Sequence, residues 1–260
     1  MWEITAELLA HIKLSDLQVI HEISAKRLSQ AGYASFDDFW DLPQDFVEPA
    51  NIRRNGWSGV STLQIEDLQG NKETFYLKRQ ENQSRYSLRY LTGVLTFRYE
   101  ADALSLAQEL GWPSVELVAY AFRVDVESGA SQGLLLTRAL TVPNLADFED
   151  KIADWSLYLP QLRRVGEQLL SIHVTGWQHG ALFPVHIFIE LSTGAIRLID
   201  FERARKRFSP QWAAYADLVQ FIRRADWLPD EALNAIVQSH KIKMPRMLER
   251  LRKRFPKRTF

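Results

Sequence analysis

One stretch constrains this chain more than any other: His179-Gly180-Ala181-Leu182-Phe183-Pro184-Val185-His186-Ile187-Phe188-Ile189, followed by Leu198-Ile199-Asp200-Phe201-Glu202. Two apolar runs, 186–191 and 195–200, are separated by the turn-forming Ser192-Thr193-Gly194, which predicts a tight pair of strands. A hairpin returns the chain to its starting point. His186, opening the first run, and Asp200, closing the second, are therefore expected side by side. A carboxylate at the end of an apolar strand needs a partner, and Mg²⁺ is the natural one. Histidine is an unusual ligand for Mg²⁺, which favours oxygen. His186 is expected either to hydrogen-bond Asp200 or a phosphate, or to bind the metal itself.

Around this hairpin the chain changes character twice. Residues 15–31 predict a helix, with Ser15 and Asp16 as cap candidates, a stripe of Val19, Ile20, Ile23 and Leu28, and Gly32 as its stop. A second short helix opens at Ser35-Phe36-Asp37-Asp38-Phe39-Trp40 and ends near Pro43. Residues 1–50 thus read as a short N-terminal helical extension. From 51 to 140 the pattern is a small mixed lobe. Alternation over Val60–Ile65 and Thr74–Lys78, around Gly70-Asn71, predicts a hairpin. A helix over 95–110 follows, stopped by Gly111, and then apolar strands at Val115–Val124 and Gly133–Thr137. From 141 to 260 helices dominate. One runs from Pro160 to about Val174, and another starts at the cap Ser209-Pro210 and runs through Arg224.

Composition bounds the rest. An apolar fraction of 46% with eight Trp supports a packed core. With no Cys, disulfides and thiolate-bound metals are excluded. The N-terminus has no basic region followed by an apolar run, and no stretch approaches the ~18 apolar residues of a membrane span. A cytoplasmic protein is expected. The chain is neutral, yet residues 241–260 hold nine Lys or Arg against the single acid Glu249. Met247, Leu248, Leu251 and Phe255 share one helical face in this basic tail. The tail is expected to lie on an anionic membrane surface as an amphipathic helix, or to pack by its apolar face; nucleic acid is not an expected partner.

Further candidates lie outside the hairpin. Lys78 ends a strand 22 residues before Glu100 on the following helix; the order and rough separation resemble those of the strand lysine and helix glutamate that pair in protein kinases, the alternative being two surface charges. Gly56-Trp57-Ser58-Gly59-Val60 is expected between two strands, where the backbone N–H groups of Gly56 and Gly59 could approach phosphate oxygens. Asp217, on the helix after Pro210, is expected either to accept N–H bonds from the loop around His179 or to be an exposed helix acid, and His173 is expected to be a satisfied core histidine.

With these residues assembled, the chain resembles a protein kinase. The template is H-R-D-L-x-x-x-N, a strand pair, and D-F-G. Here His179 keeps its place, His186 holds the Asn position, Asp200-Phe201 stands for D-F, Ala181 replaces the catalytic Asp, and Glu202 replaces the Gly. More narrowly, it resembles the lipopolysaccharide kinase group and its InaA-type members. The resemblance runs from about Asn51 to Arg224 through Asn51-Ile52-Arg53-Arg54-Asn55-Gly56-Trp57-Ser58-Gly59-Val60, Tyr76-Leu77-Lys78-Arg79, Gln178-His179-Gly180 with His186-Ile187, and Ile199-Asp200-Phe201-Glu202-Arg203-Ala204-Arg205. It implies an α+β, two-lobed protein-kinase-like fold, a small mixed sheet lobe plus a larger helical lobe. It also implies ATP and Mg²⁺ as cofactors, an inner-core sugar of lipopolysaccharide as acceptor, and a place at the inner membrane. Under it, Lys78 meets the phosphates, Glu100 holds Lys78, and His186 and Asp200 take the metal or phosphate side. His179 either braces its loop or stands in for the missing base. Two readings follow: a phosphotransferase with its catalytic Asp replaced, or a pseudokinase or envelope-stress adaptor without turnover.

Overall fold

The computed structural model describes residues 17–19, 22–53, 56–66, 70–85 and 93–260. The chain divides into two compact units, one of residues 1–105 with 116–139, the other of 106–115 with 140–260.

The first unit contains β1 (Gln18–Val19), α1 (Glu22–Gln30), α2 (Phe36–Trp40), β2 (Asn51–Arg53), β3 (Gly56–Glu66), β4 (Lys72–Glu81), β5 (Ser84–Arg85), β6 (Val94–Leu95), α3 (Thr96–Glu109), of which the part to Ser105 lies here, β7 (Leu117–Val124) and β8 (Ser131–Arg138). Six strands form an antiparallel sheet in the order β1-β7-β8-β4-β3-β2, and β5 pairs with β6. The alternation seen in the sequence is real. Ser61, Leu63 and Ile65 turn inward while Thr62, Gln64 and Glu66 face solvent.

The expected helix over 15–31 is corrected: the helix begins at Glu22, and Gln18–Val19 is a strand opposite Tyr120 and Ala119 of β7. Pairing on the free edge of β7 gives this backbone hydrogen bonds that a helix would have supplied internally. Ser15, Asp16 and Ile20 lie outside the described residues. Leu28, Phe36 and Phe39 join Leu63, Phe75, Leu77, Val118 and Leu134 in one core. Burying each such side chain contributes about 1.5–3 kcal/mol. Arg79 ties the same segment down. Its guanidinium is wholly buried and donates to the carbonyls of Trp40 (2.9 Å), Leu42 (2.5 Å) and Pro43 (2.8 Å) and to the Ser61 hydroxyl (3.2 Å). Residues two apart on a strand share a face, so Leu77 and Arg79 point toward this core and Lys78 points away from it.

The second unit contains α4 (Leu159–His173), β9 (Trp177–Gln178), β10 (Ile187–Glu190), β11 (Ala195–Leu198), β12 (Arg205–Lys206), α5 (Pro210–Arg224), α6 (Asp230–Lys243) and α7 (Pro245–Arg254). The predicted hairpin is present, with Ile187 opposite Leu198 and Glu190 opposite Ala195. Its strands are shorter than 186–191 and 195–200, because His186 closes a 3₁₀ turn and Asp200 lies beyond the last rung. Helix α5 starts as its sequence dictates: Ser209 accepts from the Trp212 N–H at 3.2 Å, with Pro210 in the first turn. Its inner face is Ala213, Ala214, Asp217, Leu218, Phe221 and Ile222. One member of that apolar face is a carboxylate, and it organises the site.

Candidate active site

In the first unit, strand β4 turns Lys78 toward α3, where its ammonium meets Glu100 Oε1 at 2.6 Å. Glu100 is nearly buried and Lys78 keeps some exposure. The carboxylate thus fixes one end of a cation whose charge remains reachable. The pairing expected from the kinase-like order of lysine and glutamate is present.

In the second unit, Asp217 is fully buried and accepts the main-chain N–H groups of His179 (2.6 Å) and Gly180 (2.9 Å), the first of the two alternatives expected for it. His173, on α4, adds a third bond from Nε2 at 3.1 Å. Burial alone would raise the Asp217 pKa. The hydrogen bond and charge of His173, the nearby His179 and the Gly180 N–H overcome it, and the carboxyl is held below its ordinary range. Gly180 sits at φ +85°, and a Cβ there would meet the Arg203 carbonyl at 2.4 Å. The loop accepts glycine alone at this position.

The surroundings of His179 bear on its two expected roles. The Ile199 carbonyl can only accept, so Nε2 carries the proton and donates at 3.0 Å; Nδ1 accepts from the Ala181 N–H at 3.3 Å. The ring also packs edge-to-face on Phe201, centroids 4.5 Å apart. Burial, ahead of every nearby charge, lowers the pKa of His179. A neutral, buried ring with both nitrogens engaged favours the loop-bracing role over that of a substitute base.

His186 and Asp200 stand at the edge of this loop. His186 Nδ1 donates to the Ala181 carbonyl at 2.8 Å, which fixes the tautomer and leaves the Nε2 lone pair for a ligand. Asp200 Oδ2 lies 3.6 Å from His186 Nδ1, beyond hydrogen-bond reach. Asp200 is in the left-handed region at φ 64°, ψ 60°, a conformation costing about 1–2 kcal/mol outside glycine. Among the described residues no three His, Asp or Glu side chains gather around one ion position. The donor set offered to a metal is thus the Asp200 carboxylate and one imidazole nitrogen. Ala181, at the position of the kinase Asp, is 1% exposed with its N–H and carbonyl bonded to His179 and His186.

One further expectation changes. Gly56-Trp57-Ser58-Gly59-Val60 is not a loop between strands but the first half of β3, with Gly56 opposite Arg53 and Gly59 opposite Arg79. These glycines answer to packing. A Cβ on Gly59 would strike the Phe46 ring at 2.4 Å, and one on Gly56 the Glu81 carbonyl at 2.3 Å. The basic tail forms α7, but Met247, Leu248 and Leu251 are buried within the second unit. That apolar face is occupied by the protein's own packing, the second of the two arrangements expected for the tail. Arg258 ties the end of the tail to Asp230 at 2.9 Å.

Sequence reasoning missed His240. Its Nε2 lies 2.9 Å from His173 Nδ1, and burial lowers its pKa to about 2. A partner 67 residues away leaves no local signature.

The decisive comparison is with protein families: the model of the lipopolysaccharide kinase (Kdo/WaaP) family matches residues 37–242. The chain belongs to the lipopolysaccharide kinase (Kdo/WaaP) family. The matched span includes Lys78, Glu100, His179, His186, Asp200 and Asp217. Among curated proteins, the chain is 28% identical to Protein InaA of Escherichia coli (strain K12) over 215 residues, 76% of this chain and 94% of that one. Among solved structures it is similar to WaaP in complex with acyl carrier protein, with a TM-score of 0.55 and 16% identity, covering 93% of this chain and 98% of that one. This last likeness is one of fold. The fold of this family member is the kinase-like α+β one expected from its sequence. Among the described residues no helix is long and apolar enough to cross a membrane.

Proposed function

We propose that this Kdo/WaaP-family chain transfers the γ-phosphoryl group of ATP to a hydroxyl of a lipopolysaccharide inner-core sugar. The observation that carries the proposal is the 2.6 Å Lys78–Glu100 ion pair. An ammonium held by a nearly buried carboxylate is a phosphate-directed charge, and phosphoryl transfer is mainly positioning plus electrostatic stabilisation. Lys78 neutralises phosphate oxygens, and Asp217 holds the His179–Gly180 backbone in place. Asp200, with His186 Nε2, would hold the divalent ion that ATP brings. One carboxylate beside phosphates and waters suits Mg²⁺, and the imidazole nitrogen also suits Mn²⁺. When bound, the ion spreads the phosphate charge. The acceptor oxygen forms the new bond to phosphorus, the β–γ bridging bond breaks, ADP leaves, and the hydroxyl proton passes to solvent or phosphate.

The proton has no carboxylate at position 181 to receive it. Loss of a general base costs about 10²–10⁴ in rate, but a loose transition state asks little activation of its nucleophile. Turnover is therefore slow rather than absent. The buried Ala181 favours a second reading, a nucleotide-binding pseudokinase or envelope-stress adaptor. Transfer of labelled γ-phosphate to Kdo- or heptose-bearing acceptors separates the two. Transfer by the wild type that vanishes in both Lys78→Met and Asp200→Ala supports the first. Nucleotide binding without transfer to any inner-core acceptor supports the second.

A further inference from the structure

A second charged constellation lies within the second unit, on the short sheet of β9 and β12. Arg205 pairs with Gln178 and Lys206 with Trp177, and the Arg207 N–H continues the ladder to the Gly176 carbonyl at 2.8 Å. Side chains two apart on extended backbone point the same way, so Arg205 and Arg207 lie side by side. Both reach one atom. Gln178 Oε1 accepts Arg205 Nε at 3.3 Å and Arg207 Nε at 2.6 Å. Gln178 is itself 1% exposed, so this oxygen is a fixed post that sets both guanidinium planes.

Two cations on one neutral oxygen are not a stabilising arrangement by themselves. Among the described residues neither arginine forms an ion pair. Burial first, and Arg205 second, lower the proton affinity of Arg207, with Asp217 opposing. Asp217 already serves His173, His179 and Gly180. Each guanidinium has five N–H donors. With Nε engaged, both terminal NH₂ groups of each remain, in the fork geometry that matches a phosphate oxygen pair. Arg205 is exposed and Arg207 half-buried, so a ligand can reach them. Gln178 directly precedes the His179–Gly180 backbone clamped by Asp217.

We infer that Arg205 and Arg207, aligned by Gln178, bind a phosphate monoester dianion. Resting on the phosphotransferase reading above, that group is a phosphate already carried by the acceptor, held one residue from the loop. Free inorganic phosphate has the same chemistry and is the other source.

Calorimetric titration of the full chain, without nucleotide or metal, tests this. The probes are glucose 1-phosphate, inorganic phosphate and, as the uncharged control, glucose. The proteins are wild type, Arg205→Gln/Arg207→Gln, and Gln178→Glu, which puts a carboxylate against the two guanidiniums and keeps the strand pairing. The expected result is saturable binding of glucose 1-phosphate, tighter than inorganic phosphate, with none of glucose. Binding should weaken at least ~10-fold in both variants, the order of losing one charge-assisted hydrogen bond, with no fall in unfolding midpoint. Inorganic phosphate bound as tightly as the sugar phosphate keeps the site and overturns its assignment to the acceptor. No binding of either phosphate, or equal binding by the variants, overturns the site. Because the readout needs neither ATP nor turnover, the site can survive failure of the phosphotransfer reading, and the reverse.

Discussion

The loop scaffold and the reactive edge of the second unit are built on opposite principles. Asp217, His173 and His179 are buried, and their polar atoms meet partners from α4, α5, α6, the loop and the Ile199 carbonyl. His186 and Asp200 are partly exposed, 3.6 Å apart, and Asp200 is held in a strained backbone conformation. The first set spends its hydrogen bonds on the protein. The second keeps an imidazole lone pair and a carboxylate for something else. Satisfied buried networks fix geometry, whereas strain and open valences mark groups that meet a ligand. Under the proposed phosphotransfer, the contrast would separate residues that position from residues that act.

The largest effect that would break this contrast is expected at Asp217. Asp217→Ala leaves two main-chain N–H groups and His173 without their acceptor, and should cost about 3–5 kcal/mol by urea unfolding. A loss below ~1 kcal/mol would place Asp217 outside the scaffold.

Next in size is the pH dependence of stability. His179 and His240 both have folded pKa values below the ordinary one, His240 at about 2. Below the unfolded pKa of ~6.5 each ring takes a proton when unfolded and refuses it when folded. The unfolded state then binds more protons, and stability falls as pH drops. Each ring contributes up to ~1.4 kcal/mol per pH unit. Unfolding measured from pH 7 to 5 should steepen accordingly, and His240→Leu should remove one proton from the slope. Asp217 acts further down: its contribution is complete above the ordinary carboxylate pKa of ~3.9 and is lost as pH falls through its lower folded value.

At the reactive edge the effects on stability are smaller. Asp200→Gly should change stability by less than about 1 kcal/mol, since relief of φ 64° is offset by the extra entropy glycine loses on folding, while removing nucleotide-dependent stabilisation. Equally small in stability is His186→Ala, under ~1 kcal/mol for a partly exposed ring with one hydrogen bond. Its visible effect should be on metal preference: His186→Asn exchanges nitrogen for oxygen and should shift nucleotide stabilisation from Mn²⁺ toward Mg²⁺.

Much of the scaffold was legible because its signals are local. The strand–turn–strand run from His186 to Asp200 and the Ser209-Pro210 cap each depend on periodicity or short spacing, and the Lys78–Glu100 pair was legible through the kinase resemblance. Asp217 was legible only as one of two alternatives, an acceptor for the loop or an exposed acid on the helix that follows it. The failures are tertiary. Gly56 and Gly59 carry the composition of a phosphate loop, yet their size is dictated by the Glu81 backbone and the Phe46 ring. Residues 17–19 follow a helical pattern, but the open edge of β7 claims them. The burial of Arg79 has no local signal, because the three carbonyls that close on it come from residues 40–43. The apolar stripe of α7 was visible, but not what covers it.

The most direct test of the central claim, that the open groups serve a nucleotide and its metal, is thermal unfolding with and without Mg²⁺-ATP. A ligand at about 100 times its Kd stabilises the native state by ~2.7 kcal/mol. The account predicts a clear rise in midpoint for the wild type and none for Asp200→Ala at equal ligand. No rise for the wild type at millimolar Mg²⁺-ATP, or an equal rise in the variant, would contradict it.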